Sequence, residues 1–192
     1  MNTTVIILAG GRSSRMGSDK GLVLLHQIPM LQWVINALPK TANMDVIIIA
    51  HHEDYNQFNV PVYSDIYPNK GPLGGIYTGL FHSKSMKNIV LSCDIPFIEK
   101  ELIEALIALP MKELITIVEH EGVTHNLIGV YSKALVPDLK NCLLKDDFKV
   151  SHFLSDQNAQ SLSLTELVPG ATTKMVANIN TLNDLNILNY GH

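Results

Sequence analysis

Little of this 192-residue chain is charged, and it has no basic excess with which to coat a polyanion. Lys, Arg, Asp and Glu together make up 17%, and 18 acidic residues against 14 basic ones leave a formal net charge of -4, with no long block of either sign. Binding to nucleic acid or to an anionic membrane needs a basic face, so neither partner is expected, and an anionic ligand must be held by a local site. Cysteine is scarcer still. Cys93 and Cys142, the only two, form neither a CxxC pair nor a disulfide framework, which points to a reducing compartment and away from zinc. Long apolar runs are also missing: Val5 to Ala9 is too short for a signal-peptide core, and nowhere do about 18 apolar residues follow one another. A cytoplasmic protein is expected. No internal repeat, low-complexity tract or Pro/Ser-rich linker breaks the chain, so residues 1–192 are expected to form one domain around a sizeable core.

What is present alternates. Val5 to Ala9, Val46 to Ala50 and Ile89 to Ser92 are apolar runs rich in β-branched residues, as expected of strands covered on both faces, and Val60 to Tyr63 is a shorter one. Between them, Met30 to Leu38, Ile76 to Ser83 and Glu99 to Leu109 have helical spacing, with prolines at their edges. Further on, Leu114 to Val118 and Leu127 to Tyr131 suggest strands joined by a polar turn, followed by a helix from about Lys133 to Leu144. Ser161 to Leu167 alternates weakly, as an edge strand does, and Thr181 to Leu188 suggests a terminal helix capped by Thr181. This order predicts an α/β fold: a single-domain, Rossmann-like three-layer sandwich with a mostly parallel central sheet and helices on both faces. Ligands of such sheets bind beyond the carboxyl ends of the strands, where Gly10 and Asp94 both fall.

The first of those ends carries the richest segment, Leu8-Ala9-Gly10-Gly11-Arg12-Ser13-Ser14-Arg15-Met16-Gly17-Ser18-Asp19-Lys20-Gly21. Glycines let backbone N–H groups approach an anion, and the two arginines and the lysine can neutralise phosphate charge. It is a phosphate loop by composition, yet neither a Walker A loop, since Ser18 follows Gly17, nor a GxGxxG turn. Asp94, in Cys93-Asp94-Ile95-Pro96, is placed either to bind Mg²⁺, a hard ion that takes one or two carboxylates plus phosphates and water, or to cap a following helix. Cys93 itself is expected to be small and buried, with no base nearby to activate its thiol. His51 and His52 leave a strand in opposite directions, which argues against a metal pair and for residues at the edge of the site or in solvent. Trp33, on a helical stripe, is expected in the core or against a partner.

The segment LAGGRSSRMGSDKG resembles the signature of the molybdenum cofactor guanylyltransferases (MobA family), LAGGxSxRMGxDK. The likeness extends in order to GPLGG at Gly71 to Gly75, SCDIP at Ser92 to Pro96 and NINTLNDL at Asn178 to Leu185. It implies a Mg²⁺-dependent nucleotidyltransferase that moves GMP from GTP to molybdopterin. Leu8, Ala9, Gly10 and Gly11 would meet the nucleotide through their backbone. Arg15 and Lys20 would meet its phosphates, with Lys20 the main electrophilic catalyst, and Asp94 would hold the metal. Asp65 would accept hydrogen bonds from the base or ribose, unless it is an ordinary turn aspartate. Asn178 and Asn180, on one face of an alternating stretch, would stand near the metal and the acceptor phosphate, or else brace neighbouring loops.

Two departures fall on the acceptor side: His125-Asn126 stands where the family commonly has His-Pro, and Lys149 stands where it often has arginine. Lysine brings charge without a bidentate fork. Gly11 favours guanine, because cytidylyl relatives usually show LAAG and the second glycine leaves room for a purine. Related transferases acting on a sugar phosphate or isoprenoid precursor, and a nucleotide-binding module without turnover, are the competing assignments; Lys20 and Asp94 together argue against the module. Expected partners are GTP and the pterin, with cofactor-biosynthesis proteins or recipient molybdoenzymes beside them.

Overall fold

The apolar runs become the central strands of the sheet. In the computed structural model, which describes residues 2–10, 19–181 and 183–185, β1 (Thr3–Leu8) and β6 (Lys87–Ser92) are buried along their whole length. They pair in parallel, Val5 opposite Ile89 and Ile7 opposite Leu91. β4 (Met44–Ile49) joins β1 on its other side, and β5 (Val62–Tyr63) forms the edge beyond it. Past β6 lie β8 (Val123–Ser132), β7 (Ile115–His120) and β9 (Gln160–Ser163), which completes the order β5-β4-β1-β6-β8-β7-β9. Only β8 runs antiparallel to its neighbours, because it returns from β7 through a tight turn at Glu121 and Gly122, both with positive φ. A separate hairpin pairs β2 (Leu24–Leu25) with β3 (Ile28–Pro29).

Alternation along the strands divides the core in two. Val5, Ile7, Ile48, Ile89 and Leu91 pack against α1 (Met30–Asn36), α3 (Lys100–Ala108) and α6 (Leu164–Leu167). Ile6, Leu8, Ile47, Ile49 and Val90 pack against α2 (Gly71–His82), α4 (Val136–Leu144) and α5 (Val150–Asp156). The expected three-layer, mostly parallel sandwich is therefore the fold. Several element boundaries differ. The glycine stretch before Ile76 is no free turn: α2 starts at Gly71 with Pro72 in its first turn, a position where the missing N–H costs nothing. The edge strand after Gln160 ends at Ser163, and Leu164 to Leu167 coil into α6. The last helix is described only at 183–185, residues 182 and 186–188 of the expected Thr181 to Leu188 lying outside the described residues.

Helix α2 is the element that brings glycine backbone to the cleft, since its first turn overhangs the carboxyl ends of the strands. It lies close on β1 because Gly79 has no side chain, and a Cβ there would overlap the buried Cγ2 methyl of Ile6. Replacing a helical glycine by alanine ordinarily gains about 1 kcal/mol of propensity, while overpacking a core costs about 1–3 kcal/mol. With Ile6 pinned inside the sheet the clash dominates. Gly79→Ala is expected to lose about 1–2 kcal/mol in urea unfolding, where an unobstructed helical site would gain.

Candidate functional site

Parallel strands deliver their carboxyl ends to one edge. There Leu8 O accepts the Cys93 N–H at 3.1 Å, and Ile49 O accepts the Ala9 N–H at 2.9 Å, so the exits of β1, β4 and β6 are locked side by side. A cleft of about 240 Å³ opens above them. Leu8, Ala9, Gly10 and Ile49 line it from two strand exits, Ser92, Cys93 and Asp94 from a third, Gly71, Pro72 and Gly75 from α2, and Lys20, Asp65 and Leu127 from loops and β8.

At the β6 end stands Asp94, whose side chain is only 9% exposed. A carboxylate so buried is tolerated only when paired and hydrogen-bonded. Lys20 Nζ lies 2.9 Å from its Oδ2, Asn178 Nδ2 donates to Oδ1 at 2.7 Å, and the Ser92 hydroxyl donates to Oδ1 as well. Lys20 also donates to Asn180 Oδ1 at 2.7 Å. The two asparagines thus do share a face, as their alternation predicts. Ile179 between them turns the other way, onto Leu25, Met30 and Leu185, and its N–H donates to Asp94 O at 2.9 Å. Asp184 fixes the end of this strap by accepting the Asn180 and Thr181 N–H groups, and Thr181 Oγ1 accepts the Asp184 N–H in return. Those bonds hold the Asp184 carboxyl below its ordinary pKa, and the reciprocal pattern is a capping box at Thr181. Asp94 caps no helix, since α3 starts only at Lys100 behind Glu99.

At the β5 end stands Asp65. His51 Nε2 lies 3.3 Å from its Oδ2, while Oδ1 is buried without a hydrogen-bond partner among the described residues. Burial raises the Asp65 pKa, and His51 and the Thr78 hydroxyl oppose the shift. His52 turns away to Asp54 at 3.0 Å, so the two adjacent histidines do diverge.

Between the two ends the glycine-rich loop leaves the sheet after Gly10 and returns at Asp19. Gly11 and Arg15 lie outside the described residues. The ends of the loop are joined by a residue that sequence reasoning missed. Fully buried Tyr55 places its hydroxyl 3.0 Å from Ala9 O and 2.5 Å from Asp19 Oδ1. Gly21 makes room for this ring, because a Cβ there would sit 2.7 Å from the phenol oxygen. Burial raises the pKa of both Tyr55 and Asp19. Tyr55 lies in a 3-10 segment, Glu53 to Phe58, with no distinctive pattern around it, so only its long-range contact reveals its role.

The two acceptor-side departures stand apart from the cleft lining. His125 pairs with Val118 on the sheet face of α1 and α3, its pKa lowered by burial and by neighbouring His120. Lys149 is the exposed N-cap of α5. Cys93 is buried as expected, and burial raises its thiol pKa. Trp33 is partly buried beside Leu25, donating Nε1–H to Leu25 O at 3.1 Å.

Residues 5–161 match the MobA-like NTP transferase domain. The chain belongs to the MobA-like NTP transferase family. It is 41% identical over 189 residues, 97% of this chain and 96% of the relative, to a Flavobacterium johnsoniae protein named "Probable molybdenum cofactor guanylyltransferase". It is 33% identical over 168 residues, 85% of this chain and 86% of the relative, to the molybdenum cofactor guanylyltransferase of Vibrio vulnificus. The crystal structure of molybdopterin-guanine dinucleotide biosynthesis protein A from Archaeoglobus fulgidus shares the fold, with a TM-score of 0.80 at 22% identity, covering 97% of this chain and 96% of that one. Among the described residues of this family member, no helix is long and apolar enough to cross a membrane.

Two measurements test this geometry. Tyr55→Phe removes the proton shared by Ala9 O and Asp19 and leaves a buried carbonyl unsatisfied. It is expected to cost about 1–2 kcal/mol of unfolding free energy and to weaken nucleotide binding. Asp65 tests what a buried carboxylate costs. With its folded pKa above the unfolded value, the folded state holds more protons between the two, so stability falls as pH rises through that window. Asp65→Asn lifts the penalty. In thermal unfolding the variant is expected to equal or exceed the parent at pH 7, with the advantage disappearing below about pH 4.

Proposed function

We propose that this chain transfers GMP from GTP to the phosphate of molybdopterin, releasing pyrophosphate, with Mg²⁺ at Asp94. The observation that carries the reading is the joining of Lys20, Asp94, Asn178 and Asn180 at the β6 end of the cleft. Family membership and the names of the relatives supply the substrates.

The residues fit a magnesium ion. Asp94 is a hard oxygen donor at a strand exit, and among the described residues no cluster of three or more His, Cys, Asp or Glu side chains competes to hold a metal. One carboxylate supplemented by phosphate oxygens and water is the arrangement Mg²⁺ prefers. When bound, the ion would neutralise phosphate charge and polarise the phosphorus.

The chain's own residues do the rest. Backbone groups of Leu8, Ala9 and Gly10 flank the nucleotide. Among the described residues Asp94 and Asn180 engage two of the three Lys20 ammonium protons, and the third would meet an α-phosphate oxygen on which charge grows. Arg15, from the loop between Gly10 and Asp19, adds a second cation. An oxygen of the acceptor phosphate forms the new P–O bond at the α-phosphorus as the bond to the β-phosphate breaks, and pyrophosphate leaves with that electron pair. No protein nucleophile is required, and the buried Cys93 thiol, its pKa raised, offers none. Asn178 and Asn180 hold Asp94 and Lys20 in register and face the acceptor, while His125 and Lys149, on opposite faces of the sheet and apart from the cleft lining, are given no part in it. Asp65 takes the base: a carboxylate lining the cleft suits the adjacent N1–H and N2–H donors of guanine and no corresponding pair on adenine.

Pyrophosphate release is measured with each of the four NTPs, Mg²⁺ and molybdopterin. GTP is expected to support turnover; turnover with CTP but not GTP would reassign the base, and none with any NTP would leave a binding module. Lys20→Ala is expected to lower kcat about 10²–10³-fold while GTP still binds. Asp94→Ala is expected to abolish Mg²⁺-dependent turnover, and an unchanged rate would move the metal elsewhere.

A further inference from the structure

Asp65 reaches the cleft from a short, irregular connection between β5 and α2, and a carboxylate on such a segment turns toward water unless something holds it. The side chain that holds it comes from another strand. His51 follows Ala50 at the exit of β4, and its Nε2 sits 3.3 Å from Asp65 Oδ2. The same ring lies along the main chain at Gly10, where an added Cβ would stand 3.7 Å from His51 Cδ2 and 3.8 Å from Nε2. Imidazole, glycine-loop backbone and carboxylate therefore meet at one corner of the cleft. An ionised carboxylate only accepts hydrogen bonds, so Nε2 carries the proton and the ring serves as a donor. Oδ2 is paired with His51, Oδ1 is buried 3.7 Å from where a Cβ on Gly75 would lie, and the carboxylate as a whole lines the cleft.

We infer that His51 is a positioning residue for purine selection: its Nε2–H fixes Asp65 so that the carboxylate meets a base bearing two adjacent N–H donors, as guanine does. The inference rests on the proposed role of Asp65. His51 touches Asp65 rather than the reacting atoms, so its loss alters which base binds and leaves the phosphate chemistry in place. The geometry also sets the proper replacement. Glutamine can put an amide N–H where Nε2–H stands, whereas alanine leaves Asp65 free to rotate.

Equilibrium binding of GTP and ITP to the full chain, to His51→Ala and to His51→Gln tests this, since hypoxanthine keeps N1–H and lacks the 2-amino group. The parent is expected to bind GTP at least about tenfold more tightly than ITP, the value of one hydrogen bond to a charged acceptor. His51→Ala is expected to lower GTP affinity about tenfold and bring the GTP to ITP ratio close to one, and His51→Gln to restore most of that ratio. His51 is about half exposed, so both variants are expected to fold, with His51→Ala losing only the stability that the imidazole gives Asp65. A parent that binds GTP and ITP equally would overturn the role of Asp65 and this inference with it. A selective parent whose ratio survives His51→Ala, or an alanine defect that glutamine does not mend, would overturn the role of His51 alone.

Discussion

The carboxylate of Asp94 is the constraint on which the rest of this site depends. It sits at the end of a strand buried along its length, where an unpaired charge would cost more than a marginally stable domain can tolerate. Lys20, Asn178 and Ser92 offset that cost, and each arrives from a different part of the chain. Lys20 closes the glycine-rich loop, Asn178 and Asn180 belong to the strap after residue 177, and the Ile179 N–H seals the strap onto the carbonyl of Asp94 itself. Lys20 and the strap are thus held by the same residue, Asp94. On the proposed reading, a metal ion with its phosphates would enter a place where positive charge and amide groups already meet that carboxylate.

Much of this was legible along the chain because burial leaves a local trace. Val5 to Ala9 and Ile89 to Ser92 are apolar without alternation, and only a strand covered twice tolerates that. Asn178 and Asn180 are two apart, so strand-like backbone had to put them on one side, and Lys20 with Asp94 is what they meet. Other features leave no such trace. Gly71 to Gly75 has the composition of a turn, yet it opens α2, because the helix must lie close to the strand exits and small residues permit it. Leu164 to Leu167 continues an alternating pattern but coils, since Leu164 is drawn into the core beneath α3. Tyr55 and His51 act on partners dozens of residues or another strand away, and no periodicity encodes a hydrogen bond across that separation.

A glycine-rich stretch contributes little packing of its own, so its ends need support from the rest of the fold. Tyr55 gives it, holding Ala9 at one end and Asp19 at the other from a site wholly out of solvent. Gly21 is then small for a structural reason, to admit the Tyr55 ring, whereas Gly10 is small on the side that faces His51 and the cleft. Two glycines of one motif therefore answer different demands, a distinction that composition alone does not draw.

The cleft crosses four strands in the order β5-β4-β1-β6, with Asp65 beyond the first and Asp94 beyond the last. Three strand spacings separate those exits, roughly 14 Å, and the two carboxylates are treated oppositely across that span. Asp94 is given a cation and two further hydrogen bonds. Asp65 is given an imidazole and the Thr78 hydroxyl, with burial working against its charge. A donor brought by a ligand to so thinly compensated a carboxylate gains more than one brought to a carboxylate already paired with a cation. On the proposed reading, that difference assigns base selection to the β5 end and phosphate chemistry to the β6 end, and it follows from which neighbours the sheet order supplies to each aspartate.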